Sequence, residues 1–355
     1  MARVFVTGAS GFIGGALAAR LLERGDEVVG LARSDEAAAV IARRGAEVAR
    51  GDLLDEDTLA AGMEGCALAY HVAAVNTHCP SDAAMLLRVN VEGTENAVRA
   101  AARAGVPRMV FTSSAASVGE PAGTVGREDT AHRGWYLSVY DRSKHLGEQA
   151  AFRAAQRLGV ELVAVNPSSV QGPGRSSGNG RIIIAYLNGR LRVFVDTYVS
   201  VVDVADTVEG HVLAAARGRS GQRYVLNGAT IPSAEALRIV SELSGISQPV
   251  RMVPPALARA AAAVADGVAR ARGKTSSICR ARVRTILHGH RYDGSLATRE
   301  LGLTYTPVTE TFRRTIDWAV AEGLVTRPLP ERRGPTTPSV PSGTSSRIAK
   351  QGREP

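Results

Sequence analysis

Residues 3–31 read RVFVTGASGFIGGALAARLLERGDEVVGL. Arg3 to Thr7 is a short β-rich run that stops at a glycine. From Phe12 to about Arg24 apolar residues return with helical periodicity, until Gly25 and Asp26 break the pattern. Glu27 to Leu31 is a second β-rich run. Strand, glycine turn, helix and strand within about thirty residues is the size of one parallel crossover unit. The turn, TGASGFIG, sets out Gly8, Gly11 and Gly14. In such a turn the first glycine permits the tight bend, the second lets backbone approach a pyrophosphate, and the third allows close helix packing. The helix start, with Phe12 and Ile13, would then face phosphates with free N–H groups.

The alternation continues outward from this unit. A weak strand is expected at 47–49, a helix at 56–63, a buried strand at 67–73 and a helix at 83–104 ended by Gly105 and Pro107. A strand at 108–113, a helix at 138–158 closed by Gly159, and a strand at 161–166 stopped by Pro167 follow. This order predicts an α/β fold, a Rossmann-type doubly wound parallel sheet. Beyond Pro167 the pattern loosens into a Gly/Ser-rich loop at 168–180. Residues 1–166 are therefore expected to be predominantly an NAD(P)-binding Rossmann domain. Residues 167–326 would form a smaller C-terminal substrate-binding region interleaved with it, and 327–355, rich in Pro, Ser, Thr and Arg, a disordered tail.

Among the 355 residues, 45% are hydrophobic and 22% charged, within the ordinary globular range. The net charge of +9 raises the question of nucleic acid. The basic residues are spread along the chain, however, and aromatics make up only 5%, so base-stacking platforms are not expected. The arginine-rich stretch from Arg251 to Arg291, with Asp266 as its single acid, reads as a solvated or phosphate-attracting surface. Cys66, Cys79 and Cys279 lack metal-ligand or redox spacing, and an odd count without CxxC favours a reducing compartment. Neither a signal-peptide pattern nor a membrane span is evident, so the expected location is cytoplasmic.

The end of the second strand bears on the cofactor. An acid there would bind the adenosine ribose of NAD, whereas an arginine would pair with the 2′-phosphate of NADP. The chain reads Leu31, Ala32, Arg33, Ser34. Arg33, with Ser34 as a second donor, favours NADP over NAD, although Asp35 and Glu36 follow closely.

The segment YDRSK places Tyr140 and Lys144 four residues apart, on one face of a helix. A phenol with a reference pKa of about 10 is a poor base near neutrality, and a neighbouring ammonium favours the phenolate. Ser113 and Ser114 follow the strand RMVFT at its carboxyl end, where doubly wound sheets place their sites. A serine there can hold a substrate oxygen, or merely cap local backbone.

In this order these residues resemble the extended short-chain dehydrogenase/reductase superfamily, the NAD-dependent epimerase/dehydratase family. The resemblance spans about residues 3–325 and rests on TGASGFIG, GDLLD (51–55), HVAA (71–74), NVEGTENA (90–97), FTSSA (111–115), YDRSK and NPSSVQGPG (166–174). Within it the chain is most similar to the dihydroflavonol-reductase and hydroxysteroid-dehydrogenase-like branch. The resemblance implies that Asp52 and Leu53 meet the adenine, that Val72, Ala73 and Ala74 line the cofactor, and that Pro167 borders it. It also implies that Ser114, which directly precedes Ala115, is the catalytic serine alongside Tyr140 and Lys144. Asn166 stands where the family usually has arginine, and Gln171 where it often has tyrosine. Thr112 is followed by two serines rather than an Asp-Glu pair, which argues against sugar dehydration.

Other features invite blander readings. His71 on a buried strand is expected to be a satisfied core histidine. His288 and His290 (HGH) have no Cys, Asp or Glu ligand nearby in sequence, so no metal is expected. The Ala-rich stretch 256–271 reads as a packed cap helix rather than a membrane-surface one. The leading expectation is hydride transfer between NADP(H) and a carbonyl or secondary alcohol of a small organic substrate. The alternatives are an NAD-dependent nucleotide-sugar epimerase and a non-catalytic NADP-sensing regulator. Loops 75–88, 116–137 and 168–200 would define the substrate. Pairing of the helices near 83–104 and 138–158 would make a homodimer.

Overall fold

The computed structural model describes residues 1–176, 178, 180–272, 279–328 and 330. Strand β1 (Arg3–Thr7), helix α1 (Phe12–Glu23) and strand β2 (Glu27–Ala32) form the opening crossover, within a residue of the sequence expectation. The structure then adds a helix the sequence reading does not include, α2 (Asp35–Arg43), whose N-cap Ser34 accepts from the Ala37 N–H. Strand β3 (Glu47–Arg50), α3 (Glu56–Met63) and β4 (Leu68–His71) follow.

The helix expected at 83–104 has three parts: α4 (Ala83–Leu87), a π-helical turn at Arg88–Glu92, and α5 (Gly93–Arg103). Strand β5 (Arg108–Thr112) leads to α6 (Val139–Leu158), capped at its start by Ser138 and closed by Gly159 at φ 74°. Strand β6 (Glu161–Pro167) is the sixth parallel strand.

The rest of the chain comprises β7 (Ser169–Gln171), α7 (Gly180–Leu187), β8 (Val193–Val195), β9 (Tyr198–Asp203), α8 (Val204–Arg217) and β10 (Arg223–Leu226). Next come β11 (Ala229–Pro232), α9 (Ser233–Ser244), β12 (Arg251–Val253), α10 (Pro255–Ala271), α11 (Arg280–His288) and α12 (Val308–Ala321).

The main sheet has seven strands in the order β10-β6-β5-β4-β1-β2-β3, every pairing parallel. Strand order reverses between β1 and β4, and the crevice outside their carboxyl ends is where such sheets take ligands. Alternate residues of the strands feed two cores, one on each face. Val4, Val6 and Val110 pack with α1 and α8, while Phe5, Met109 and Phe111 pack with α3, α5 and α6. The seventh strand, β10, comes from the C-terminal half and completes the sheet beside β6. A three-stranded sheet, β11-β9-β7, and a two-stranded one, β12-β8, lie outside it.

Two further features differ from the sequence expectation. Cys79 and Cys279 form a disulfide across 200 residues, leaving Cys66 as the buried free thiol, a pairing that the inference of a reducing compartment from an odd cysteine count did not anticipate. Sequence spacing carries no information on a pair this distant. The Ala-rich helix α10 is also less packed than expected. Ala262 and Asp266 are buried, but Leu257, Val264 and Val268 are 61%, 67% and 44% exposed. Small side chains satisfy helical periodicity without showing which face is covered. Among the described residues, no helix is long and apolar enough to cross a membrane. Of the tail expected at 327–355, all but Arg327, Pro328 and Pro330 lies outside the described residues.

Candidate active site

The glycine turn sits at the point where strand order reverses. Gly8 adopts φ 74°, and a side chain there would press into the Ala73 backbone, its Cβ 2.9 Å from the nitrogen. A Cβ on Gly14 would collide with the Gly8 carbonyl, so the helix must begin with a bare backbone there. Gly11 is the N-cap of α1 and offers no side-chain cap, leaving the first-turn N–H groups beside Phe12 and Ile13 free of capping. Thr7 Oγ1 accepts from the N–H groups of Val72 and Ala73, both at 3.0 Å, which ties the β4 exit to the turn. Ala74 follows directly. Arg44 donates to the Ala9 carbonyl at 2.7 Å and braces the turn from α2. An uncapped helix start below a glycine cradle fits a dinucleotide pyrophosphate.

At the β2 end the Arg33 side chain is 77% exposed, with Nε 3.8 Å from Asp52 Oδ2. Ser34 Oγ is used by the α2 N-terminus. Asp35 is turned toward Arg50, at 2.6 Å, so its carboxylate is engaged elsewhere. Asp52 Oδ1 accepts from the Leu54 N–H, and the buried Leu53 accepts through its carbonyl from Asn96 Nδ2 at 3.0 Å.

The serine, tyrosine and lysine converge at the carboxyl ends of β4 and β5. Ser138 starts α6 by accepting from the Asp141 N–H, which places Tyr140 in the first turn and Lys144 one turn later. Lys144 is 3% exposed, donates to the Thr112 carbonyl at 2.9 Å and lies 4.9 Å from the Phe111 ring centroid. Burial pulls its pKa down to about 8, against the attraction of the Glu148 carboxylate. Burial pushes the Tyr140 phenol up to about 12, while its hydrogen bond with Ser114 acts the other way. Ser114 also caps the short 3-10 turn Ala115–Ser117, accepting from the Ala116 N–H. Ser113 instead turns inward, its Oγ toward Ser117. The two serines thus face different sides of the strand end.

Sequence reasoning did not find the groups that hold this set. Thr112 Oγ1 lies 2.7 Å from His211 Nε2, and His211 Nδ1 lies 2.7 Å from the Thr207 carbonyl. Helix α8 thereby fixes the residue whose carbonyl holds Lys144. At the π-helical turn, Asn90 Oδ1 accepts from the Val75 N–H, and its Nδ2 donates to the Val75 carbonyl and Ser143 Oγ. Gly147 lets α6 press against the Asn90 carbonyl, which no Cβ there would allow. His78 meets the Tyr140 ring edge-on, centroids 5.1 Å apart, and its Nδ1 is 3.2 Å from Ser138 Oγ. Arg175 lies over Phe12, 5.1 Å from the ring centroid.

The departures from family pattern now have places. Asn166 is fully buried and donates through Nδ2 to Glu148 and Ser117, so it belongs to a core network beside Pro167 rather than to an open pocket. Gln171 is buried and donates to Ser169 Oγ. His71 is buried, with Thr7 and Thr94 hydroxyls at 2.9 and 3.1 Å on its two ring nitrogens. Burial holds its pKa down to about 3, as a satisfied core histidine requires.

A parallel sheet with this turn at its switch point and a buried tyrosine-lysine helix beside it defines a nicotinamide-dependent oxidoreductase. The profile of the NAD dependent epimerase/dehydratase family matches residues 4–227, and the chain belongs to that family. A Synechocystis protein named for dihydroflavonol 4-reductase is 33% identical over 330 residues, covering 90% of this chain and 95% of its own. A 3 beta-hydroxysteroid dehydrogenase/Delta 5-->4-isomerase of Mycobacterium tuberculosis is 30% identical, over 72% of this chain and 74% of its own. Among solved structures, a nucleoside-diphosphate-sugar epimerase from Pseudomonas aeruginosa superposes with a TM-score of 0.75 at 25% identity. It covers 91% of this chain and 99% of its own.

Proposed function

We propose that the protein is an NADPH-dependent reductase of a carbonyl group on a small organic substrate, acting reversibly on the matching secondary alcohol. The observation that carries this reading is the convergence of Ser114 with the buried Tyr140 and Lys144 at the carboxyl end of β5, together with Arg33 at the β2 end. The glycine turn, Arg33, Asp52, Leu53, Val72 to Ala74 and Pro167 would hold the cofactor, which supplies the hydride when bound. Ser114 donates a hydrogen bond to the substrate oxygen and fixes its position. Tyr140 delivers the proton to that oxygen in reduction and removes it in oxidation. Lys144 holds ribose hydroxyls and, as an ammonium, favours the phenolate that proton transfer leaves behind.

A carbonyl panel drawn from the relatives, containing a dihydroflavonol and a 3-keto steroid, tests the activity by NADPH consumption. A nucleoside-diphosphate sugar belongs in the same panel. Interconversion of sugar epimers without net cofactor oxidation would replace the reductase reading by the epimerase one.

The cofactor preference is tested by fluorescence-detected affinities. Arg33→Ala is expected to weaken NADPH binding by about 10-fold or more, the worth of a charge-assisted hydrogen bond. NADH affinity should stay within about twofold. Equal losses for both cofactors would remove Arg33 from the 2′-phosphate site.

The depressed Lys144 pKa gives a pH prediction. Lys144 must be protonated to act, and its folded value near 8 lies below the ordinary 10.5, so the active form is lost as pH rises through about 8. In the reductive direction kcat/KM, which reports groups of the free enzyme, should fall above that point. A limb nearer 10.5 would show that burial does not control this group.

A further inference from the structure

We propose that Glu120, His288 and His290 form a binding site for a divalent transition metal ion, with Zn2+ the best match to the donor set. One donor atom from each residue lies within 4.8 Å of the others. Two imidazoles and a carboxylate are ordinary zinc donors, and nitrogen donors favour such ions over magnesium or calcium. The sequence neighbours of HGH hold no acid, but the fold brings Glu120 from 168 residues upstream against His288 and 170 upstream of His290.

The cluster has more ligating capacity than its internal contacts use. Glu120 is 1% exposed, and its Oε1 lies 2.6 Å from His290 Nδ1 and 3.3 Å from His288 Nε2. Glu120 Oε2 and His290 Nε2 are buried and have no hydrogen-bond partner. A buried orphan oxygen and a buried orphan ring nitrogen in one cluster are costly unless a further group joins them. A cation held by the Glu120 carboxylate, His288 Nε2 and His290 Nδ1 would give the orphan oxygen a partner and offset the buried carboxylate charge. The Tyr292 hydroxyl, 2.9 Å from the same His290 Nδ1, helps to fix that ring beside Glu120.

The location gives the ion a consequence. Glu120 lies three residues beyond the 3-10 turn that Ser114 caps, whereas His288 ends α11 and His290 follows it. A shared metal ion would fasten the catalytic-serine loop to the C-terminal region and set that wall of the substrate space. This inference does not depend on which substrate is reduced.

The experiment is a Zn2+ titration of tag-free, EDTA-treated and dialysed full-length protein, read by competition with a chromophoric chelator. Co2+ serves as a second probe through its d–d absorption. The expected result is one ion per chain with a Kd of about 1 μM or tighter. His290→Gln should weaken binding by at least about 100-fold. Glu120→Gln should do the same, with circular dichroism confirming that each variant is folded. His132→Gln with His145→Gln, a second close imidazole pair with ring centroids 4.1 Å apart, should leave it unchanged. Absence of stoichiometric binding by the unaltered protein would overturn the proposal whatever the variants do. So would equal binding by the folded His290→Gln protein.

Discussion

Tyr140→Phe is expected to lower turnover by about 10²–10⁴-fold, the usual worth of a positioned proton donor. Affinity for NADPH should stay within about twofold. The substitution removes one oxygen from a ring that is 9% exposed and wedged at the first turn of α6, so the helix and the Lys144 contact with Thr112 persist. The phenol has a specific partner, Ser114, and a pKa pushed up to about 12 by burial. In reduction a neutral phenol is the form required, and burial keeps it neutral across the working range. Steady-state rates on the carbonyl found in the panel, alongside cofactor titration, check this. Retained turnover would remove Tyr140 from proton transfer, while lost cofactor binding would recast it as a binding residue.

The second large effect concerns the Cys79–Cys279 bond. Its 200-residue separation makes the closed loop long. The chain-entropy argument assigns such a link about 5 kcal/mol. Spread over the unfolding entropy of a chain this size, that corresponds to a Tm loss of about 5–8 °C in the Cys79→Ser, Cys279→Ser double variant. Reductant should produce a similar shift in the unaltered protein. Cys79 adjoins His78, whose ring meets Tyr140, and Cys279 is the N-cap of α11. The variant should therefore also show a raised KM for the carbonyl substrate. Melting curves with and without reductant, combined with thiol titration, decide the matter. Three titratable thiols in the denatured, unreduced protein would show that the bond does not form.

The opening crossover was legible because each of its signals is local. The apolar period changes at the glycine turn, and helix-breaking residues mark both ends of α1. The spacing of Tyr140 and Lys144 was legible for the same reason, since one helical turn is a sequence distance. What brings Ser114 to Tyr140, or His211 to Thr112, is the packing of α6 and α8 against β5, and no local pattern encodes it. Glu120 and HGH are invisible as a cluster until Tyr292 and the loop around Gly126 pair through an isolated bridge. The exposed stripe of α10 shows the converse limit. A periodic run reveals a face but not whether anything rests on it.

The seventh strand has a bearing on how this protein can be recombined. β10 docks beside β6 through Arg223–Ala164 and Leu226–Pro167, and Arg223 reaches Glu148 on α6 at 2.9 Å. A chimaera that exchanges everything after Pro167 for a relative's substrate region would import a foreign edge strand into the nucleotide-binding sheet. Its arginine-to-glutamate clasp would be imported or lost with it. Grafting new specificity onto this scaffold therefore calls for replacing the intervening loops singly and leaving residues 223–226 in place.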